Sequence, residues 1–149
     1  MKIIVLIFLS GLILLSCENE MDIQTITLDL KEFSIEIPIT WSYQQNQGYD
    51  SFVGEIKIDD NEKISFDYGW YSNPLDVDSL THLIIYRTID GESAKVVSPK
   101  DFKKGTTGVY FNSLKNNTLK FQMSGTDLSG NNQILLLKAI ESLKFKELK

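Results

Sequence analysis

The stretch Thr118-Leu119-Lys120-Phe121-Gln122-Met123-Ser124 alternates without a break. Leu119, Phe121 and Met123 fall on one side, and Lys120 and Gln122 fall on the other. Side chains of a strand point to opposite faces in turn, so a period of two predicts a strand with one buried face. Thr107–Ser113 is its expected hairpin partner, joined through Lys115-Asn116-Asn117.

Upstream the same pattern recurs. Leu83 to Ile89 is rich in branched residues, and Ala94 to Ser98 is its return strand, stopped at Pro99. Between them stands Asp90-Gly91, the strongest turn signal in the chain, because a two-residue hairpin loop needs positive φ at both central positions. Phe52, Ile56 and Ile58 alternate, as do Ile64, Phe66, Tyr68 and Trp70, with Asp59-Asp60-Asn61-Glu62 as the turn between. Gly69 inside that second strand signals a bulge or a close backbone approach. Thr25–Leu30 places Ile26, Leu28 and Leu30 on one side, and Phe33, Ile35 and Ile37 follow suit. Pro38 has no N–H to donate and ends that ladder. Residues 42–51 read as a loop, Ser72-Asn73-Pro74 breaks the sheet, and Asp76 to His82 reads as one or two helical turns.

Downstream the period changes. Leu136, Ala139, Ile140 and Leu143 line one stripe of a helix predicted over Asn131 to Ser142, and Leu143 to Phe145 forms a short closing strand. The expected fold is α+β: an antiparallel β-sheet of about six to seven strands with a C-terminal helix packed on it.

The start of the chain has another character. A single charge at Lys2 precedes the apolar run Ile3–Leu15, which ends in Leu14-Leu15-Ser16-Cys17. The run is short of the roughly 20 residues a membrane span needs. It follows the charged, apolar, small-residue order of a secretory signal. It resembles the lipobox of bacterial lipoproteins, and that resemblance implies diacylglycerol on the Cys17 thiol and cleavage just before it. The chain then divides into a signal peptide (1–16), a polar tether (17–24) and a single α+β domain (25–149). Glu18 and Glu20 after the cysteine loosely resemble a surface-export signal. The expected location is an outer membrane or cell surface in preference to an inner membrane.

Removing residues 1–16 leaves 133 residues, enough for one core without a metal or cross-link. With one cysteine there is no internal disulfide to help. The net charge is −5, and without Lys2 the remainder holds 14 basic against 20 acidic residues, or −6. That balance argues against nucleic acid, which is held through clustered Lys and Arg.

Phe33-Ser34-Ile35, Pro38 and Trp41 resemble the opening Phe-x-Ile-x-x-Pro-x-x-Trp of PsbP-like domains, named for a subunit of the photosynthetic oxygen-evolving complex. Leu137 to Phe145 resembles their final helix and strand. The resemblance spans about residues 33–145. It implies an α/β/α sandwich without shared catalytic residues, in a family with many bacterial lipoproteins.

Little in the chain points to catalysis. His82 is the one histidine, and no serine sits in a Gly-x-Ser-x-Gly elbow. Beside Leu80 and Leu83, His82 reads first as a structural residue. The acidic turn 59–62 lacks the spacing of a calcium loop. No cofactor or metal is implied.

The aromatics are the more suggestive feature. Trp41, Tyr43, Tyr49, Tyr68, Trp70 and Tyr71 fall within 31 residues. Such side chains carry much of the energy of protein interfaces. Tyr43, Tyr49, Tyr71, Trp41 and Trp70 form the candidate binding surface. Against this, Phe66, Tyr68 and Trp70 alternate as a core face would, so packing is the expected role of Trp41 and Trp70. The leading expectation is a non-catalytic envelope lipoprotein, anchored to the membrane through Cys17, that binds a protein partner or assists a complex. A carrier of a small apolar ligand, lined by Phe66, Trp70, Phe121 and Ile140, is the alternative. A hydrolase using His82 comes third.

Overall fold

The computed structural model describes residues 23–114 and 118–146. The leader, Cys17, most of the tether and the Lys115-Asn116-Asn117 turn lie outside the described residues. The elements run β1 (Thr25–Asp29), β2 (Phe33–Pro38), β3 (Ser42–Gln45), β4 (Phe52–Lys57), β5 (Lys63–Gly69), β6 (His82–Ile89), β7 (Glu92–Pro99), β8 (Thr106–Leu114), β9 (Leu119–Thr126), α1 (Gly130–Glu141) and β10 (Lys144–Phe145).

These strands form two antiparallel sheets. The larger has seven strands in the order β3-β4-β5-β9-β8-β7-β6, and the smaller has three in the order β1-β2-β10. The expected antiparallel sheet with a C-terminal helix is present, together with a second sheet that alternation alone did not separate from the first. A period of two says that one face of β2 is buried; it does not say which strand lies beside it.

The core fills the space between the large sheet on one side and the small sheet with α1 on the other. Phe33, Ile35 and Ile37 of β2 are buried there, with Phe66, Phe121 and Phe111 from the large sheet and Leu136 and Ile140 from the helix. The ring of Phe33 meets those of Phe66 and Phe121 edge-on, with centroids 5.1 and 5.0 Å apart. Each such side chain contributes roughly 1.5–3 kcal/mol by leaving water. The helix stripe Leu136, Ala139, Ile140 and Leu143 is buried as its spacing predicts.

Three local expectations change. Residues 42–45 form an edge strand, β3, paired with β4 from Ser42 opposite Lys57 to Gln45 opposite Gly54. Its polar sequence hides it, because an edge strand can leave most of its side chains in water. Residues 76–82 do not form a helix. The chain from 72 to 78 takes no regular structure, and Leu75, with φ of 51°, is buried against Val97 and Tyr110 on the outer face of the large sheet, with Val77 packed beside them. The segment ends in one turn, where the Asp78 carbonyl accepts the Thr81 and His82 N–H groups. Ile26, expected inward, is exposed because β1 is the edge of the small sheet. The helix and the small sheet cover one face of the large sheet, and this irregular segment lies on the other.

The Asp90-Gly91 turn has φ of 52° and 80°, the two positive angles its sequence demands.

Candidate functional site: an aromatic cleft

Where the β1–β2 turn meets β3, β4 and β5, a cleft of about 600 Å³ opens to solvent. Tyr43, Tyr49, Phe52, Tyr68 and Trp70 give it aromatic walls, and Asp29, Glu32 and Asp50 stand at its rim.

Two glycines make this arrangement possible. Gly54 on β4 lies directly opposite Gln45 on one side and Phe66 on the other. A Cβ at Gly54 would sit 2.7 Å from the Phe66 ring and 2.8 Å from that of Tyr43. Its absence lets Tyr43 reach across β4 and stack on Phe66, with centroids 6.1 Å apart and planes 21° apart. At Gly69 a Cβ would lie 2.5 Å from that of Ser51, so the 48–51 loop closes onto the end of β5. The Gly69 signal therefore marks a close approach. The β5 ladder stops there, and Trp70 leaves the sheet.

The five candidate surface residues part company. Tyr43, Tyr49 and Trp70 line the cleft. Trp70 is 60% exposed, against the expectation that it packs in the core; the alternation ends one residue before it. Trp41 is 4% exposed and belongs to the core, as its packing role required. Tyr71 is exposed and does not line the cleft. Tyr68 and Phe52 were expected as core residues and also form the cleft wall. The sequence signal for them is a glycine in each strand, at 54 and 69, beside aromatic neighbours.

The cleft floor is electrostatically unusual. Tyr68 is 4% exposed, and its hydroxyl has no hydrogen-bond partner, nor has that of Tyr43. Burial pushes the Tyr68 phenol up to about 12, with the carboxylates of Glu32 and Glu92 adding to the effect. Burial also raises that of Tyr43. Both rings therefore keep their protons and stand as neutral donors. At the rim Lys31 pairs with Glu32 at 3.1 Å and Lys146 with Asp29 at 2.7 Å. Aromatic walls with carboxylates beside them suit an amphipathic group.

His82 lies elsewhere and is engaged at both nitrogens. Nε2 accepts the Thr106 N–H at 3.1 Å, and Nδ1 lies 2.9 Å from the Thr81 hydroxyl. These contacts tie the start of β6 to the start of β8. Gly105 leaves room for the ring, since a Cβ there would fall 2.6 Å from Nε2.

The acidic turn serves the fold. Asp59 Oδ1 accepts the N–H groups of Asn61 and Glu62 at 2.7 and 2.8 Å, and these bonds hold its carboxyl below the usual range. Glu62 reaches the start of α1, accepting from Ser129 N–H at 3.0 Å and from Asn132 Nδ2 at 2.7 Å. Among the described residues no group of three His, Cys, Asp or Glu is placed to hold a metal. Of the residues expected to line an apolar carrier site, Phe66, Phe121 and Ile140 are packed in the core, and Trp70 is outside it.

No described helix is long and apolar enough to cross a membrane. Compared with protein-family models and with curated protein sequences, the chain matches none.

Proposed function

We propose that this protein is a non-catalytic, lipid-anchored envelope module that holds a segment of a protein partner in its aromatic cleft. The observation that carries this reading is the exposed ring of Trp70, which with Tyr49 lines an open cleft of about 600 Å³. Trp70 and Tyr49 supply apolar contact to an incoming segment, and Asp29, Glu32 and Asp50 supply charge beside it.

The anchor is Cys17, with the lipid in an outer membrane or at the cell surface. The six residues 17–22 reach at most about 20 Å, so the domain works close to the bilayer. A membrane-bound complex is then a fitting partner, as the resemblance to PsbP-like domains also suggests.

Crosslinking in intact cells, followed by mass spectrometry, tests this. The expected result is one reproducible partner joined near residues 49–70 and lost in Trp70→Ala and Tyr49→Ala. Recovery of unrelated envelope proteins, or of the same partner in both variants, refutes the reading.

A further inference from the structure

Strand β6 ends the large sheet, with β7 as its one neighbour among the described residues. Sheet edges are normally blunted by shortness, charge, proline or a bulge. The opposite edge follows that rule: β3 has four residues, Ser-Tyr-Gln-Gln. Strand β6 does not. It has eight residues, His-Leu-Ile-Ile-Tyr-Arg-Thr-Ile, paired with β7 in unbroken register from His82–Pro99 to Ile89–Glu92. It contains no proline, lysine or acidic residue, and its one charge, Arg87, is paired with Glu141.

Its odd-numbered residues face the helix side. Ile89 reaches the main core, and Arg87 pairs with Glu141 of α1. Leu83 and Ile85 share that face by alternation, yet they are 50% and 44% exposed. Ile134, two helical turns before Glu141 and so on the same side of α1, is also exposed. An apolar strip therefore runs along an unpaired backbone.

We infer that β6 pairs antiparallel with β6 of a second copy of this chain, about a two-fold axis through Ile84, joining two large sheets edge to edge. Directly opposed residues of an antiparallel pair share a face, so each centre fixes which side chains meet. Centred on Ile85, Arg87 falls against Leu83. Centred on Tyr86, it falls against Ile85. Centred on Arg87, two guanidinium groups oppose each other. Centred on Ile84, Leu83 meets Ile85 twice, apolar against apolar. Arg87 then lies opposite Thr81 of the second copy, in the turn that carries exposed Asp78. The strand thus supplies its own apolar complement, as a closed two-fold contact requires, while Arg87 keeps its pairing with Glu141. Pairing β6 with β3 instead would set Leu83 and Ile85 against a short polar strand. The aromatic cleft lies at the far edge and stays open in the dimer, so this inference does not rest on the reading of the cleft.

Sedimentation velocity of the full chain in mild detergent, over a range of concentrations, tests it. The expected result is a dimer whose dissociation constant rises at least about tenfold in Leu83→Lys and in Ile85→Lys, with unchanged circular dichroism, and stays unchanged in Trp70→Ala. A monomer at every concentration overturns the inference, as does a dimer indifferent to both lysines. Should the lysine variants not fold, hydrogen exchange on the unaltered chain decides. Amides of β6 must gain protection with concentration while those of β3 do not, and no such gain is a refutation.

Discussion

The carboxylate of Asp90 accepts the backbone N–H of Phe145 at 2.7 Å, joining residues 55 positions apart. Its other oxygen takes Lys144 Nζ at 3.1 Å. The residue that makes the β6–β7 turn therefore also clasps the closing strand β10, and Phe145 carries its ring onto Phe111 and Phe121. Asp90→Gly keeps the positive φ and loses the clasp. It is expected to cost about 1–2 kcal/mol in urea unfolding. Asp90→Ala adds the strain of a left-handed residue, roughly another 1 kcal/mol. Equal stability in both variants would show that the clasp, and not the turn, sets the cost.

Tyr68→Phe separates folding from binding. The ring contacts with Phe121 and Phe145 remain, and the unpartnered hydroxyl goes. Stability is expected to hold or rise by about 1 kcal/mol, since a lost polar group without a partner removes a desolvation cost. Retention of the partner should not change, since the hydroxyl is closed off from the cleft. A clear loss of stability would mean that the hydroxyl has a partner in the free protein.

The same phenol governs behaviour in alkali. Its folded value, about 12, lies above the ordinary value of 10.0, so the native state favours the neutral form. That contribution is fully present below pH 10 and is lost as pH rises through about 12. Between these limits the unaltered protein should lose up to roughly 2 kcal/mol relative to Tyr68→Phe, measured by urea unfolding at pH 8, 10 and 11. Parallel curves for the two proteins would refute the assignment.

The strands and the helix were legible where burial imposed a period. Leu119, Phe121 and Met123 showed theirs because β9 sits in the middle of the large sheet, with β5 and β8 on either side. Edges were legible unevenly: β6 showed as the branched run Leu83 to Ile89. Strand β3 is polar because little of it is buried, and β1 exposes Ile26 for the same reason. The stretch Asp76 to His82 misled because its single turn, closed by the Asp78 carbonyl, reads in sequence like the start of a helix. In the cleft, the aromatic types were visible, but their faces were not. Trp70 follows the alternation by position and leaves it by geometry, since β5 ends at Gly69.

Trp41 and Trp70 should respond in opposite ways. Trp41→Ala removes a core side chain and is expected to cost about 3–5 kcal/mol. Trp70→Ala removes a mostly exposed one and should cost under about 1 kcal/mol while abolishing partner crosslinking. Thermal unfolding of both variants, set against crosslink yield, checks the pair. A strongly destabilised Trp70→Ala would place that ring in the core after all.

Glu62 links the acidic turn to the helix start. Ser129 caps α1 without a side-chain cap bond, and the Glu62 carboxylate accepts the N–H of Ser129 itself. It satisfies the Ser129 N–H and the Asn132 amide, and its charge faces the positive end of the helix dipole. Glu62→Ala is therefore expected to cost about 1–2 kcal/mol. Glu62→Gln keeps an acceptor and loses the charge, so its cost should be about half. That difference should shrink in 1 M salt, which screens the dipole interaction and leaves the hydrogen bonds. Urea unfolding of the two variants at low and high salt gives the comparison. Equal costs for Ala and Gln in low salt would assign the whole effect to charge.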